Sequence, residues 1–354
     1  MNIKSIHQCV SSISYGDGIS RGVFLIQKML IELGYKSNIY IIAIKIDLRI
    51  QQEIYHISEC NSIRDDIFLV HFSFGNKKFK DIIDIMHKKI MIYHNITPSH
   101  FFGHTGYIEG TQGGRKQLMN YNKKFLGVIA DSPYNAEETK FCGYKNIISI
   151  PLLVDIESLQ LDTLDNRILE KYKNSFNIIF VGRIIQNKSQ HQLIEIAYEL
   201  KLRGIENFKV IIIGSNHYSD YLNYMKRNIK LLGLENSVHI SEHISDEELN
   251  SYYRCASLYL SMSEHEGFGM PLVEAMSYNI PVLAYNTTAI TTTVPKCSHL
   301  DFKNVDYVAN RVIQIMNDED LRISMIKEQK DYLNNFKYEK LQRDLQNYLQ
   351  DLGI

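Results

Sequence analysis

The chain has 354 residues, of which 45% are hydrophobic and 22% are charged. This length predicts about two domains, and the composition is that of a globular protein, which excludes disordered and collagen-like chains. The 39 lysines and arginines nearly balance the 40 aspartates and glutamates, for a net charge of −1. Because nucleic-acid-binding proteins usually carry a basic excess, we expect no nucleic-acid partner.

Cysteine usage and hydropathy favour a reducing, cytoplasmic environment. The cysteines lack Cys-x-x-Cys spacing and are odd in number, which disfavours a zinc site and a disulfide framework. They are Cys9, Cys60, Cys142, Cys255 and Cys297. The sequence contains no uncharged apolar run of about 18 residues and no apolar core near its start, so we expect neither a membrane-spanning helix nor a signal peptide.

The first half of the sequence alternates β-branched segments with amphipathic ones. Short apolar segments predict strands at residues 3–13, 38–46, 67–74, 90–96, 126–130 and 147–154. Apolar residues at helical spacing predict helices at residues 23–33, 79–87 and 133–141. Short apolar strands separated by helices are typical of a parallel sheet that is buried on both faces.

The second half repeats this alternation. Strands are predicted at residues 177–181, 209–213, 258–261 and 281–285, and helices at residues 192–202, 218–232 and 244–256. The third of these helices begins with a capping box, in which Ser245 is the N-cap and Glu248 reaches back to it. The last 50 or so residues are predicted to be helical.

The predicted fold class is α/β, with two doubly wound, parallel-sheet, Rossmann-like domains that face each other across a cleft. The predicted boundaries are an N-terminal domain at 1–155, a polar linker at 156–173, a C-terminal domain at 174–335 and a final helix at 336–354 that packs back toward the N-terminal domain. In such sheets ligands bind at the carboxyl ends of the strands. Functional residues are therefore expected where strands lead into helices.

The segment 263–276 combines a strand end, a glycine-rich turn and a helix start. Gly267 and Gly269 allow the backbone to approach a ligand, and a helix N-terminus presents free N–H groups to an anion or to sugar hydroxyls. Glu266 in the turn and Glu274 in the helix can bracket a polyol between two carboxylates. Taken alone, the same residues also fit a solvated charge and a capping carboxylate.

The segment 180–188 places two cations at another strand end. Arg183 leaves the strand, and Lys188 follows at the start of the next helical stretch. An arginine fork and a lysine point charge together can hold a diphosphate. An exposed surface turn is the alternative interpretation.

Together, these segments resemble family 4 of the retaining nucleotide-sugar glycosyltransferases, which have the GT-B fold. Glu266 and Glu274 match the E-x7-E motif of that family, and the spacing from Arg183 to Lys188 is similar to that of its diphosphate-binding pair. The Gly16-Asp17-Gly18 loop resembles the N-terminal loop of the family, and segments 93–98, 114–118 and 131–135 resemble bacterial surface-polysaccharide members. In those members a Pro-Glu-Thr-like stretch and a glycine-rich loop usually stand where this chain has Ile290 to Pro295.

The resemblance implies a role for each matching residue. Glu274 would bind the ribose hydroxyls, Glu266 the donor sugar near its O3, and Arg183 and Lys188 the departing diphosphate, while His94 would face the transferred sugar. The remaining donor-binding positions would be the backbone of the glycine-rich turn, the N-terminal loop and the segment near the base. These are Gly267, Phe268, Gly269, Met270, Gly16, Asp17, Gly18, Glu242 and Ile244.

We expect no metal and no other cofactor, since the nucleoside-diphosphate sugar is a co-substrate. Asp318, Glu319 and Asp320 spell a D-x-D pattern, but they open a polar helix and are expected to cap it rather than bind a cation. Arg183, Lys188 and a helix dipole would stabilise the diphosphate instead. The implied reaction transfers a hexose-type sugar from a GDP- or UDP-sugar, with retention, onto a saccharide or lipid-linked saccharide of a cell-surface polysaccharide such as capsule, lipopolysaccharide or O-antigen.

Two alternatives remain open at this point. A sugar-nucleotide epimerase on the same fold would need no acceptor, and a non-catalytic sugar-nucleotide binder would need no intact reactive residues. A nicotinamide dehydrogenase is disfavoured because position 21 is Arg21, which breaks the G-x-G-x-x-G order.

Charge is distributed unevenly along the sequence. Residues 1–150 carry a net charge of +5 and residues 151–354 one of −6, so we expect peripheral contact of the first half with anionic lipid at the inner membrane face.

Overall fold

A computed structural model describes residues 4–14, 18–43, 50, 53–103, 105–152, 154, 163–215, 219–242 and 244–354. The chain divides into two compact units. The first comprises residues 1–155 together with 336–354, and the second comprises residues 156–335. Each unit contains a parallel sheet with helices on it, so the predicted pair of α/β Rossmann-like units is confirmed.

The first unit is built on a seven-stranded sheet in the order β3-β2-β1-β4-β5-β6-β7, in which every pair is parallel. Its strands are β1 (Ile6–Val10), β2 (Ile39–Ile41), β3 (Ile54–His56), β4 (Ile67–Phe72), β5 (Lys88–Tyr93), β6 (Gly127–Ala130) and β7 (Ile147–Ser149). The helices between them are α1 (Gly18–Glu32), α2 (Phe79–Ile85), α3 (Thr105–Asn120) and α4 (Pro133–Phe141).

The second unit is built on a six-stranded parallel sheet in the order β10-β9-β8-β11-β12-β13. Its strands are β8 (Phe176–Val181), β9 (Phe208–Ile213), β10 (Val238–Ser241), β11 (Leu258–Ser261), β12 (Val282–Tyr285) and β13 (His299–Leu300). Its helices are α5 (Asn166–Tyr172), α6 (Gln190–Leu202), α7 (Ser219–Leu231), α8 (Asp246–Cys255), α9 (Met270–Ser277), α10 (Ile290–Thr293), α11 (Val305–Asn317) and α12 (Glu319–Tyr332).

The central strands are buried on both faces because nearly every residue in them is apolar. In β4, Phe68 and Val70 pack in one core, whereas Leu69 packs in the core on the opposite face. The final helix, α13 (Tyr338–Asp351), belongs to the first unit and adds Leu341 and Leu345 to that second core. In the described part of the chain, no helix combines the length and hydropathy that crossing a membrane requires.

Two helix starts follow the expected capping chemistry. Ser245 accepts a hydrogen bond from the backbone N–H of Glu248, whose side chain accepts one from the Ser245 backbone, so the predicted capping box is present. Asp318 caps α12 by accepting a hydrogen bond from Leu321 N–H, and Glu319 and Asp320 lie in the first turn. The acidic triplet therefore caps a helix, as the sequence predicted.

The linker prediction is wrong in part, because residues 166–172 of the expected 156–173 linker form α5. Asp165 caps this helix, and the Asp165 backbone N–H donates to the Ser251 hydroxyl of α8 at 2.7 Å. Ile168 and Tyr172, one turn apart, are buried. The two apolar residues are too few to stand out from the polar sequence around them, although they suffice to attach the helix to its unit.

Helix α3 and strand β3 were missed, and several strands are shorter than expected, such as β1 at Ile6–Val10 instead of 3–13. Helix α3 contains four glycines, which lower helix propensity. It forms because Gly75 packs directly on it: the Gly75 N–H donates to the Gly110 carbonyl at 3.0 Å, and a Cβ at Gly75 would lie 2.4 Å from the backbone nitrogen of Gly114. Tertiary packing thus overrides the local preference.

Candidate active site

The carboxyl end of β8 is held against that of β9 by an unusually close backbone contact. A Cβ at Gly214 would lie 1.9 Å from the carbonyl oxygen of Gly182, so only glycine fits there. Beyond this contact the Ile184 N–H donates to the Ser215 carbonyl at 3.0 Å. Arg183 lies between these two anchored points, and its side chain is exposed at the end of the strand.

A 3₁₀ turn, Gln186–Lys188, follows and is tied to the segment that comes after β11. The buried Asn187 makes two of these ties: its amide donates to the His265 carbonyl at 3.1 Å, and its own carbonyl accepts from the Glu264 N–H at 2.8 Å. Asn187 thus fixes the distance between the two segments that the sequence singled out. Asn187 lies within the segment 180–188, but the sequence pattern alone indicates no role for it.

These ties bring Lys188 and Glu266 together. The Lys188 ammonium lies 2.6 Å from a carboxylate oxygen of Glu266, and the two side chains are 16% and 13% exposed. A partly buried pair of this kind is screened less by salt than a surface pair. One predicted cation and one predicted carboxylate therefore form a single polar centre at the carboxyl ends of two neighbouring strands.

The glycine-rich turn leads from this centre into α9. Gly269 is the N-cap and has φ of 95°, a left-handed conformation that favours glycine. The Phe268 carbonyl accepts a 2.6 Å hydrogen bond from the Thr293 hydroxyl, and the Glu266 N–H donates to the Thr288 hydroxyl at 3.0 Å. Thr293, in the stretch 290–295 where this chain differs from the family pattern, and Thr288, just before that stretch, thus support the turn. The sequence analysis did not predict these contacts.

Glu274 lies inside α9 and is buried. The hydroxyl of Tyr253 on α8 donates to its carboxylate at 2.7 Å. Burial, followed by the charge of Glu274, raises the pKa of Tyr253 well above its usual value of 10, so that the tyrosine stays protonated and acts as a donor. Sequence reasoning missed Tyr253, because nothing in the pattern of α8 distinguishes it from an ordinary core residue.

The predicted base-contacting segment follows β10, two strands away from β8. The Glu242 carboxylate there pairs with the Lys226 ammonium of α7 at 2.8 Å, and Ile244 is half-buried. Both residues lie at the carboxyl edge of the same sheet as Arg183.

The predicted N-terminal loop is described only in part. Gly16 and Asp17 lie outside the described residues, and Gly18 is the first residue of α1.

His94 follows β5 in the first unit and is buried. Its Nδ1 lies 2.7 Å from a carboxylate oxygen of Asp131, and its Nε2 lies 2.8 Å from Nδ1 of His71. Both ring nitrogens are therefore engaged by side chains of the same unit.

Within the described ranges, no group of three or more potential metal-ligating side chains is assembled. Whether the protein needs a metal stays a prediction.

Comparison with known proteins relates the chain to glycosyltransferases. Residues 162–332 match the family described as "Glycosyl transferases group 1". Over 182 residues the chain is 30% identical to the capsular polysaccharide biosynthesis glycosyltransferase CapM of Staphylococcus aureus, and over 158 residues it is 23% identical to the O-antigen chain mannosyltransferase B of Escherichia coli. These matches cover 48% and 44% of this chain and span 44% and 41% of the two relatives.

Solved structures resemble the whole chain. Anabaena HepE, in complex with UDP and glucose, superposes with a TM-score of 0.77 over 98% of this chain and 100% of its own, at 16% identity. WaaG, a glycosyltransferase involved in lipopolysaccharide biosynthesis, superposes with a TM-score of 0.72 over 96% of this chain and 98% of its own, at 12% identity. The protein thus has the fold of GT-B glycosyltransferases, and its segment 162–332, which carries the Lys188–Glu266 centre, matches the family model of the group 1 glycosyl transferases.

Proposed function

We propose that this protein is a retaining glycosyltransferase that moves a hexose-type sugar from a nucleoside-diphosphate sugar to a saccharide or lipid-linked saccharide acceptor of a cell-surface polysaccharide. The observation that carries the proposal is the Lys188–Glu266 centre beside the strand end that presents Arg183. It places two cations and a carboxylate where a parallel sheet binds its ligands.

The chemistry of this centre suits a diphosphate leaving group. As the bond between the sugar and the diphosphate breaks, negative charge accumulates on the phosphate oxygens and the sugar becomes oxocarbenium-like. Lys188 is held in place beforehand by Glu266, and Arg183 presents a second positive charge at the adjoining strand end. A preorganised charge stabilises such a transition state by about 3 kcal/mol. Glu266, released from Lys188 by the incoming phosphate, would then accept hydrogen bonds from the sugar hydroxyls.

Glu274 suits the ribose. Its carboxylate is buried and is held by the protonated Tyr253, so that it can accept hydrogen bonds from two adjacent hydroxyls with little loss of conformational entropy. The backbone N–H groups from Gly267 to Met270, at the start of α9, would bind sugar hydroxyls or phosphate. Glu242 and Ile244 would line the side of the base.

The stereochemical course that we propose is attack from the same face of the sugar. The acceptor hydroxyl would attack the sugar on the face that the diphosphate leaves, and the departing phosphate oxygen would take its proton. The configuration is then retained. Since Arg183 and Lys188 supply the positive charge that a divalent cation supplies in other glycosyltransferases, the mechanism needs no metal.

The relatives narrow the substrate class. Their names mention capsular polysaccharide, O-antigen and lipopolysaccharide, and one solved neighbour contains UDP and glucose. The bound UDP and glucose support a UDP-sugar among the expected donors, and the names support a surface-polysaccharide acceptor, which is commonly lipid-linked. Such an acceptor would place the enzyme at the cytoplasmic face of the membrane.

A thermal-shift screen with GDP-, UDP- and dTDP-sugars tests donor binding, because a ligand at about 100 times its Kd stabilises its protein by roughly 2.7 kcal/mol. The stabilising donor is then incubated with and without lipid-linked saccharide acceptors, and the products are analysed for anomeric configuration. Transfer with retention is expected. An altered donor sugar in the absence of an acceptor would instead establish an epimerase, and binding without turnover would establish a non-catalytic binder.

Two matched variants assign the carboxylates. Glu274→Gln is expected to weaken binding of the free nucleoside diphosphate, because its partner is the ribose. Glu266→Gln is expected to preserve that binding and to lower the transfer rate. Isothermal titration with the nucleoside diphosphate separates the two, and the opposite pattern of affinities would show that the roles are reversed.

A further inference from the structure

A row of polar side chains crosses the first unit at the carboxyl edge of its sheet. On four neighbouring strands, an apolar core residue is followed two positions later by a polar one. The apolar residues Ile6, Leu69, Ile92 and Ile129 share one core. The polar residues, which therefore lie on the same face, are Gln8, His71, His94 and Asp131. All four are buried.

These side chains form one continuous chain of hydrogen bonds. The Gln8 amide nitrogen donates to the Val23 carbonyl at 2.9 Å, and the Gln8 amide oxygen lies 3.0 Å from Nε2 of His71. Nδ1 of His71 lies 2.8 Å from Nε2 of His94, and Nδ1 of His94 lies 2.7 Å from the Asp131 carboxylate. The chain thus runs from α1 through β1 and β4 to the ends of β5 and β6.

The donor-to-acceptor direction of these hydrogen bonds is fixed at the Gln8 end. A backbone carbonyl only accepts hydrogen bonds, so the Gln8 nitrogen must face Val23 and the Gln8 oxygen must face His71. His71 therefore carries its proton on Nε2. Burial, followed by the neighbouring His94, lowers the pKa of His71 well below 6.5, so its ring is neutral and Nδ1 is an acceptor.

It follows that Nε2 of His94 must be the donor to His71. One further proton then lies between Nδ1 of His94 and Asp131, shared by an imidazolium and a carboxylate or held by the carboxyl group itself. Burial raises the pKa of Asp131, while His94 lowers it. Among the residues that the structure describes, the titratable groups bonded to His94 are His71 from β4 and Asp131 from β6, and Glu138 of α4 reaches the next residue, Asn95, at 3.2 Å.

The backbone beside His94 is held just as firmly. Asn95 has φ of 74°, which is uncommon for a residue other than glycine, and its amide donates to Asn135 at 2.8 Å. Arg115 donates to the Ile96 carbonyl at 2.5 Å and to Glu138 at 2.6 Å. Strained backbone that is held from several sides is typical of functional sites.

We propose that Gln8 and His71 are positioning residues that fix the ring of His94 in one orientation, with Nε2 as a hydrogen-bond donor, for the transfer reaction. The expected effect on the rate of sugar transfer rests on the proposed function, whereas the expected protonation of His71 and His94 does not. His71→Gln preserves the pattern, because a glutamine offers an amide donor to Gln8 and an oxygen acceptor to His94. His71→Phe removes both groups and keeps a ring.

The first experiment records the ring nitrogens of the 13 histidines by NMR in protein labelled with 15N-histidine and free of ligand, with signals assigned from single variants. His71 is expected as the Nε2–H tautomer, and His94 is expected with Nε2 protonated. A His71 ring protonated on Nδ1, or an unprotonated Nε2 on His94, would overturn the proposal whether or not the protein transfers sugar.

The second experiment compares the steady-state kinetics of the variants. His71→Phe is expected to lower kcat at least about tenfold with little change in KM for the donor, since a His94 ring released from this orientation would shift the residue that is expected to face the transferred sugar, and small misplacements at a reaction site have effects of this size or larger. His71→Gln is expected to stay within about threefold of the unmodified protein. The matched control is His7→Phe. His7 is another buried histidine; it pairs with the Asp66 carboxylate at 3.1 Å and is not part of the hydrogen-bond chain from Gln8 to Asp131.

The control separates positioning from general destabilisation. His7→Phe is expected to lower thermal stability and to leave kcat unchanged. Equal losses of kcat in His7→Phe and His71→Phe, or no rescue by His71→Gln, would refute a positioning role. If no donor and acceptor give turnover, the proposed function fails, and the NMR measurement still decides the hydrogen-bond pattern.

Discussion

The hydroxyl of Tyr253 offers a sharp test of how the donor site is built. Tyr253→Phe removes one oxygen from the 2.7 Å hydrogen bond to Glu274. The ring itself is retained and still stacks on Tyr278, whose centroid lies 4.9 Å away. The substitution therefore isolates the hydrogen bond from the packing.

The expected cost follows from the burial of both groups. A hydrogen bond to a charged or carboxylate group contributes about 1.5–3 kcal/mol, and a buried carboxylate that loses a donor retains the cost of its desolvation. For a unit of this size, about 2 kcal/mol lowers the melting temperature by roughly 4–8 °C. If the bond also holds Glu274 ready for ribose, the Kd for a nucleoside diphosphate should rise about tenfold, which corresponds to 1.4 kcal/mol.

Urea unfolding and isothermal titration measure the two effects, and Tyr172→Phe is the control. The Tyr172 hydroxyl is also buried, yet among the described residues it has no hydrogen-bond partner. Its removal is expected to be neutral or slightly stabilising, because no bond is lost and a desolvated hydroxyl disappears. Equal stabilities for Tyr253→Phe and Tyr172→Phe, with unchanged nucleotide affinity, would refute the assignment of Tyr253.

Three further predictions concern charge. Arg183→Ala and Lys188→Ala should each lower kcat at least about 100-fold with the fold intact, because a preorganised cation is lost at the leaving group; near-normal turnover by both variants would contradict this. Transfer should survive excess EDTA, and full loss with recovery on adding Mg²⁺ or Mn²⁺ would contradict the metal-free mechanism. Because burial lowers the pKa of His71, the unfolded chain binds a proton below about pH 6.5 that the folded chain does not, so stability should fall on acidification. Urea unfolding at pH 7 and pH 5.5 should show a smaller loss for His71→Gln than for the unmodified protein, and equal losses would contradict the assignment.

The sequence predicted those features of the fold that depend on local patterns. The helix at Pro133–Phe141 and the strand at Leu258–Ser261 lie at their predicted bounds. Pro133 marks a helix start, and the short run Leu258-Tyr259-Leu260 is apolar and aromatic, which favours a strand. Helix α3 escaped prediction because its formation depends on Gly75, a residue 30 positions before its start, and no local pattern records that contact.

The same distinction separates the candidate site residues that the sequence singled out from those that it did not. Glu266 and Lys188 were singled out because each belongs to a short segment whose spacing matches a motif of the family that the sequence resembles. The polar row of Gln8 and His71 was missed because each residue looks like an isolated polar residue in an apolar strand. The sequence did contain a signal: an apolar residue followed two positions later by a polar one recurs on four strands, but it becomes meaningful only when the strand order places them side by side.

The positive charge of the first unit has consequences for membrane contact, and the structure narrows the residues that can provide it. Lys89 is buried and donates to the Met86 carbonyl at 2.6 Å, so it cannot face lipid. Arg115 pairs with Glu138 at 2.6 Å, and Lys124 forms an ion pair with Asp84. The effective basic surface is therefore smaller than the +5 balance indicates.

Lys77, Lys78 and Lys80 remain exposed around the start of α2. At about 1 kcal/mol for each lysine near an anionic bilayer, changing all three to serine should weaken binding by roughly 100-fold. Co-sedimentation with vesicles containing anionic lipid should show binding at low salt that weakens as salt screens the charges. A triple change of the exposed lysines of the second unit, Lys230, Lys327 and Lys330, has the same effect on net charge and should leave binding largely intact. Equal losses in the two triple variants would mean that net charge rather than this surface drives adsorption, and the absence of binding at low salt would contradict membrane contact and favour a soluble acceptor.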